Sequence, residues 1–199
     1  YDPDCYLCPG NKRANNKINS NYNNTFSFIN DFSSLDSKEN NNFKDELLEA
    51  KTESGICKVL CYSPNHSLTM PLMSIEEIIL IIELWQVEYE KLSLLKSINH
   101  IQIFENKGEL MGCSNPHPHG QIWAQKSIPK ESLKKQFHQK EYFKKNNKSL
   151  LLSYIIQELK VQERIIYQND SFVALIPFWA TWPYETMIVP KIHHKSILE

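Results

Sequence analysis

The chain has 199 residues, 41% of them hydrophobic, enough to bury a sizeable core. Lys and Arg number 22 against 23 for Asp and Glu, and the formal net charge of −1 argues against nucleic acid as a main partner. No apolar run reaches the roughly 18 residues of a membrane span, no signal peptide is visible, and five irregularly spaced cysteines suit a reducing cytoplasm better than a disulfide framework.

The first chemistry along the chain is the C-x-x-C of Cys5 and Cys8, followed directly by Pro9-Gly10. Such a turn can aim two thiolates at one ion, as in a zinc knuckle; it can also be a redox dithiol or two unrelated thiols. A redox dithiol belongs at a helix N-terminus, which lowers a thiol pKa, and Pro9, Gly10 and the Asn-rich run behind them do not read as a helix. Zinc would need two further ligands. Spacing does not choose among His66, His100, His117, His119, His138, His193 and His194.

Residues 11–24 and 33–45, rich in Asn, Ser and Lys, read as loops. Strands are expected near 25–30, 56–62, 100–105, 119–125, 172–176 and 185–189. His66 lies in the turn-rich exit from the second of these, Cys61-Tyr-Ser-Pro-Asn-His-Ser67. Ser74 can cap a helix with Glu77 three residues on. Ile75, Ile78, Ile79, Ile82, Trp85, Tyr89 and Leu92 recur there at helical spacing and are expected in the core. A further helix is expected over 149–162. The Lys-rich segment 130–148 reads as a helix or excursion with a solvated face. Cys57, Cys61 and Cys113 read as buried, unpaired thiols.

The most informative stretch is Cys113-Ser-Asn-Pro-His-Pro-His-Gly-Gln-Ile-Trp123. If 117–123 is extended, the period of two puts His117, His119 and Gln121 on one face. Pro116 and Pro118 suit a sheet edge or strand entry, and Gly120 would admit another backbone or a bulky anion beside the second imidazole. Neutral histidine is nucleophilic near neutral pH, and a positioned amide can donate to a phosphoryl oxygen as charge builds there. A histidine serving as nucleophile cannot also be a ligand, so at most one of His117 and His119 binds metal.

A faint internal repeat is also present. Residues 25–32 are echoed by 171–178, and 59–67 by 187–196. Each half would be a strand pair followed by a helix. His193 and His194 read as turn residues in the second half.

Together these residues resemble the galactose-1-phosphate uridylyltransferase family of the histidine-triad superfamily. The resemblance runs nearly end to end: YDPDCYLCPGN at 1–11, FSFINDF at 26–32, CYSPNHS at 61–67, IFENKG at 103–108, MGCSNPHPHGQIWA at 111–124, QKEYF at 139–143 and PFWATWPYETMIVPKIHH at 177–194. Other histidine-triad proteins carry a third histidine where this chain has Gln121, a difference that separates transferases from hydrolases. The resemblance implies an α+β fold, a duplicated histidine-triad-like arrangement of mostly antiparallel sheet with flanking helices, with a first repeat at 1–145 and the start of a second at 146–199. It implies zinc on Cys5, Cys8, His66 and His117, and His119 as the nucleophile that becomes uridylylated. It gives uracil to Phe28 and Asn30, ribose to Asp31, and the phosphoryl groups to Asn106, Ser114 and Gln121 with backbone at Gly112 and Cys113.

The implied reaction is the exchange of UMP between UDP-glucose and galactose 1-phosphate in galactose metabolism, through a uridylyl-histidine and with structural zinc. The implied enzyme is a cytoplasmic homodimer. The alternatives are a histidine-triad hydrolase or phosphorylase acting on dinucleotides, and a non-catalytic zinc scaffold. Many bacterial members hold a second metal such as iron through a glutamate in the segment after the active-site strand. Lys135 stands at that position here, and a protonated lysine cannot ligate. The chain opens at Tyr1 without a methionine and is expected to be a fragment, with phosphate-binding arginines ahead of it and hexose contacts beyond it.

Overall fold

The computed structural model describes residues 1–35, 42–113 and 115–199. Contacts divide the chain into two compact units, Tyr1–Ile128 and Pro129–Glu199. The first contains β1 (Phe26–Ile29), a short hairpin of β2 (Phe43–Lys44) and β3 (Glu49–Ala50), β4 (Gly55–Cys61), α1 (Ile75–Ser93), β5 (His100–Phe104) and β6 (His119–Gln125). The second contains α2 (Lys130–Asn146), α3 (Leu150–Val161), β7 (Ile165–Gln168), β8 (Phe172–Leu175) and β9 (Met187–Pro190). All strand pairs are antiparallel, so the class is α+β as expected. The division falls ahead of α2.

The expected strands all form, within a few residues of the anticipated ends. Two features depart from expectation. The segment 33–45, read as loop, enters the β2–β3 hairpin; its strands have two exposed residues each and offer no alternation to read. β7 is four mostly exposed residues broken by a bulge between Ile165 and Tyr167, which erases the period of two. The Lys-rich stretch resolves as a helix, α2, whose described residues include no buried one.

The site-bearing sheet has the order β1-β4-β6-β5. β6 is therefore a central strand, entered from Pro116 and Pro118, where a missing N–H breaks no ladder. Burial along β6 alternates strictly. Gly120, Ile122 and Ala124 face the side covered by α1, where Leu60, Tyr62, Ile81, Leu92 and Ile122 form one core cluster. On the other side Cys5, Leu7, Cys8, Tyr22, Phe28, Val59 and Cys61 form a second. One sheet thus separates a helical core from a face covered by the N-terminal segment.

α1 begins as its sequence demands. The Ser74 hydroxyl accepts from the Glu77 N–H at 3.2 Å while the Glu77 carboxylate accepts from the Ser74 N–H at 2.8 Å. Its buried stripe corrects the expected one in part. Ile78, Trp85 and Leu92 face the core as expected, whereas Ile75, Ile79 and Ile82 are 73%, 47% and 39% exposed, and Ile81 and Glu88 are buried in their place. The reason is Glu88. Ser27 donates to it at 2.7 Å and Lys58 pairs with it, so a carboxylate occupies a core-facing position and breaks the apolar period.

The segments that echo one another pair alike. β1 lies antiparallel to β4 with Phe26 opposite Cys61, and β8 lies antiparallel to β9 with Phe172 opposite Pro190. In the second unit, α3 and the sheet enclose Ile155, Val173, Leu175 and Val189.

Candidate active site and metal centre

Cys5 and Cys8 stand on a tight turn whose backbone bonds to itself, the Cys8 N–H donating to the Cys5 carbonyl at 3.2 Å. Asn11 braces this turn, its amide donating to the Asp2, Pro3 and Cys5 carbonyls. His66 lies just beyond β4 and His117 two residues before β6. The ligand atoms of these four residues all lie within 4.8 Å of one another. Cys8 Sγ is 3.7 Å from His66 Nδ1 and 3.6 Å from His117 Nδ1. Tetrahedral ligands at zinc distances stand about 3.4–3.8 Å apart, so these separations fit a four-coordinate ion.

The surrounding hydrogen bonds favour the ligating forms of these groups. His117 Nε2 lies 2.9 Å from the Ser63 carbonyl, an acceptor that holds the proton on Nε2 and leaves the Nδ1 lone pair for a metal. Tyr22 Oη, 3.1 Å from the same nitrogen, donates its own proton to the Leu7 carbonyl. N–H groups of Leu7 and of the Asn115 amide point at Cys5 Sγ, and the Asp2 N–H at Cys8 Sγ, as suits thiolates. Burial pushes the metal-free His117 imidazole down to about 4, with the Ser63 carbonyl acting the other way, so the ring is neutral at pH 7. The group can hold a metal.

His119 opens β6. Its Nδ1 lies 2.7 Å from the His117 carbonyl, which fixes the proton there and presents Nε2 with a free lone pair. Gln121 is set by Trp123, whose indole N–H donates to Oε1 at 3.2 Å, leaving the amide NH2 as a donor. Register places Val59 opposite Gln121 and Phe28 opposite Val59, a row across three strands. That row floors a cleft of about 430 Å³, which is also lined by Asn30, Asp31, Phe32, Arg13 and His119. Asn30 Oδ1 accepts the Phe32 N–H at 2.9 Å, so its NH2 is left free to donate.

The structure thus gathers His119, Gln121, Phe28, Asn30 and Asp31 at one cleft. It turns His117 away, 1% exposed, against Cys8 and Tyr22, so the three residues at 117, 119 and 121 do not share one open face. Asn106, Gly112 and Cys113 lie in the connection between β5 and β6, outside the lining of the cleft. Ser114 lies outside the described residues. Of the two neighbours expected for Gly120, the structure supplies the backbone. A Cβ there would meet the Phe104 carbonyl and the Tyr62 hydroxyl. Of the cysteines read as buried, Cys57 and Cys61 are so; Cys113 is half-buried with Sγ 3.1 Å from the Asn115 carbonyl.

The sequence reading passes over Arg13. Its guanidinium lies 3.9 Å above the Phe28 ring and bonds Asp31 at 2.7 Å, and Lys17 bonds the other Asp31 oxygen at 3.0 Å. One signal could have found it: only two of the 22 basic residues, Arg13 and Arg164, are arginine. Glu105, just past β5, is the second omission. Burial pushes its carboxyl up, with Lys107 and His119 pulling it back.

Comparison with known proteins gives the family and the fold. The family model for the galactose-1-phosphate uridyl transferase N-terminal domain matches residues 1–129, and that for the C-terminal domain matches residues 134–199. A galactose-1-phosphate uridylyltransferase of Haemophilus influenzae is 42% identical over 201 residues, covering 100% of this chain and 57% of that protein. One from Schizosaccharomyces pombe is 43% identical over 216 residues, covering 100% and 58%. The chain therefore spans somewhat over half the length of these curated relatives. A solved uridylyltransferase superposes with a TM-score of 0.88 at 23% identity, over 100% of this chain and 62% of that one. An Arabidopsis thaliana galt-like protein gives 0.78 at 24%, over 98% and 62%. These two likenesses show the fold.

Proposed function

The chain belongs to the galactose-1-phosphate uridyl transferase family, and from that premise we propose that it exchanges UMP between UDP-glucose and galactose 1-phosphate. The observation that carries this reading is the pairing of His119 with Gln121 on one strand of an open cleft, the imidazole Nε2 and the amide NH2 both unengaged. Uracil is placed against Phe28 with the Asn30 amide donating to it, and ribose against Asp31. His119 Nε2 attacks the α-phosphorus in line; the P–N bond forms as the P–O bond to glucose 1-phosphate breaks, and the pair stays on the departing phosphate. Galactose 1-phosphate then reverses the step and leaves as UDP-galactose. Gln121 donates to the phosphoryl oxygens as their charge grows, and Asn106, Ser114 and the backbone at Gly112 and Cys113 complete that subsite.

Zinc is the ion proposed for Cys5, Cys8, His66 and His117. Four protein ligands give it a structural part, anchoring the chain two residues before the nucleophile. A cytoplasmic setting accords with five unpaired cysteines. A homodimer, and a division into two histidine-triad-like repeats, rest on the family resemblance and on the paired echoes of β1–β4 and β8–β9. The test is isotope exchange: label from glucose 1-phosphate should enter UDP-glucose without an acceptor sugar, through a uridylylated protein. Release of free UMP at the rate of cleavage would favour the hydrolase reading instead.

A further inference from the structure

Asp31 is the carboxylate given to the ribose, yet it is already held by two cations. Its side chain is 3% exposed, and Arg13 and Lys17 together exceed it by one positive charge. The nearest comparison is the chain's other arginine. Arg164 binds Glu158 through Nε at 2.9 and 3.0 Å and Glu163 through a terminal nitrogen at 3.2 Å, so its Nε–H is satisfied. Arg13, bonded to Asp31 through a terminal nitrogen, differs in two ways. Its buried Nε–H has no partner among the described residues, and it lines the cleft that holds His119. An unmatched buried donor costs free energy that only an acceptor recovers.

We propose that Arg13 is a further nucleotide-binding residue, which lends its guanidinium to the phosphate of the bound nucleotide. This rests on the nucleotidyl-transfer reading of the same cleft. A nucleoside phosphate brings both parts the cluster lacks: an anion for the surplus charge and an acceptor for the Arg13 Nε–H. A guanidinium suits the role better than an ammonium because its planar fork can keep one bond to Asp31 while offering others to a phosphoryl oxygen. Lys17, 52% exposed, holds the other oxygen of Asp31 at 3.0 Å, so the carboxylate stays neutralised if Arg13 turns.

With only two arginines in the sequence, arginine-selective NMR of the Nε–H groups reads this directly. UMP should shift and protect the Arg13 signal, uridine should move it much less, and the Arg164 signal should stay put as an internal control. Arg13→Gln should weaken UMP binding about tenfold or more, the scale of one charge-assisted hydrogen bond. Uridine binding should change less than threefold (roughly), and Arg13→Lys should fall between. An Arg13 Nε–H indifferent to UMP in the wild-type protein would overturn the proposal, whatever the variants do. Equal weakening of uridine and UMP by Arg13→Gln would make Arg13 only a prop for Asp31. If the wild-type protein bound neither ligand, the reading of the cleft itself would fall instead.

Discussion

At the scale of single residues, the site depends on hydrogen bonds that set proton positions. His119 is useful because the carbonyl of His117 keeps its proton on Nδ1, and Gln121 because Trp123 keeps its oxygen occupied. His119→Ala should therefore abolish transfer of uridine label from UDP-glucose to the protein while leaving the fold intact, checked by gel autoradiography and circular dichroism. Persistent labelling would mean the nucleophile is another group. Gln121→Ala should cost on the order of 3 kcal/mol, about a hundredfold in the rate of uridylylation, by analogy with loss of an oxyanion-hole donor. An unchanged burst rate would remove Gln121 from the mechanism. His119 and Gln121 were legible as a pair in sequence because they lie two residues apart. The groups around the metal-ligating cluster were less so: Tyr22 and Ser63 reach His117, and Asn115 reaches Cys5, from distant segments that only folding brings together.

At the scale of elements, α1 shows why a helix can be read correctly and its buried face misread. Ser74 and Glu77 announce the start from four adjacent residues, whereas the face depends on a bond from β4. Glu88 was invisible as a core residue because a carboxylate is expected in water. Burial pushes its carboxyl up, but the bonds from Lys58 and Ser27 outweigh that and hold it below the usual range. A carboxylate depressed in the folded state adds stability above its unfolded pKa of about 4.3 and loses that contribution as pH falls through the folded value. Glu88→Gln should thus cost about 3 kcal/mol at pH 7, since it strands Lys58 in a half-buried pair. Once the pH lies below the folded value the two proteins should converge, because a protonated glutamate and a glutamine make similar demands. Urea midpoints at several pH values decide it. A difference that did not shrink in acid would mean Glu88 acts by shape rather than charge.

At the scale of the whole chain, the metal group ties together what the sequence keeps far apart. Cys8 and His117 are 109 positions distant, and His66 comes from the exit of β4. The two thiols were legible as a pair from C-x-x-C; the two histidines were named only by the family resemblance, because by spacing any of seven could have met them until the sheet set β4 beside β6. One face of that sheet is covered by the turn bearing Cys5 and Cys8, with Leu7 and Cys8 almost fully buried. A bound ion contributes folding energy outright in such an arrangement. Removing it should loosen the N-terminal turn, then the start of β6, and with it the orientation of His119. All four ligands lie in Tyr1–Ile128, none in Pro129–Glu199. A strong chelator, or Cys5→Ser, should therefore accelerate amide hydrogen exchange at Leu60 and Ile122 far more than at Val173 and Leu175, and should abolish uridylylation. Elemental analysis should find one zinc per chain before treatment and none after. Equal acceleration in both units, or full protection of Leu60 and Ile122 in a metal-free protein, would show that the four residues hold together without an ion.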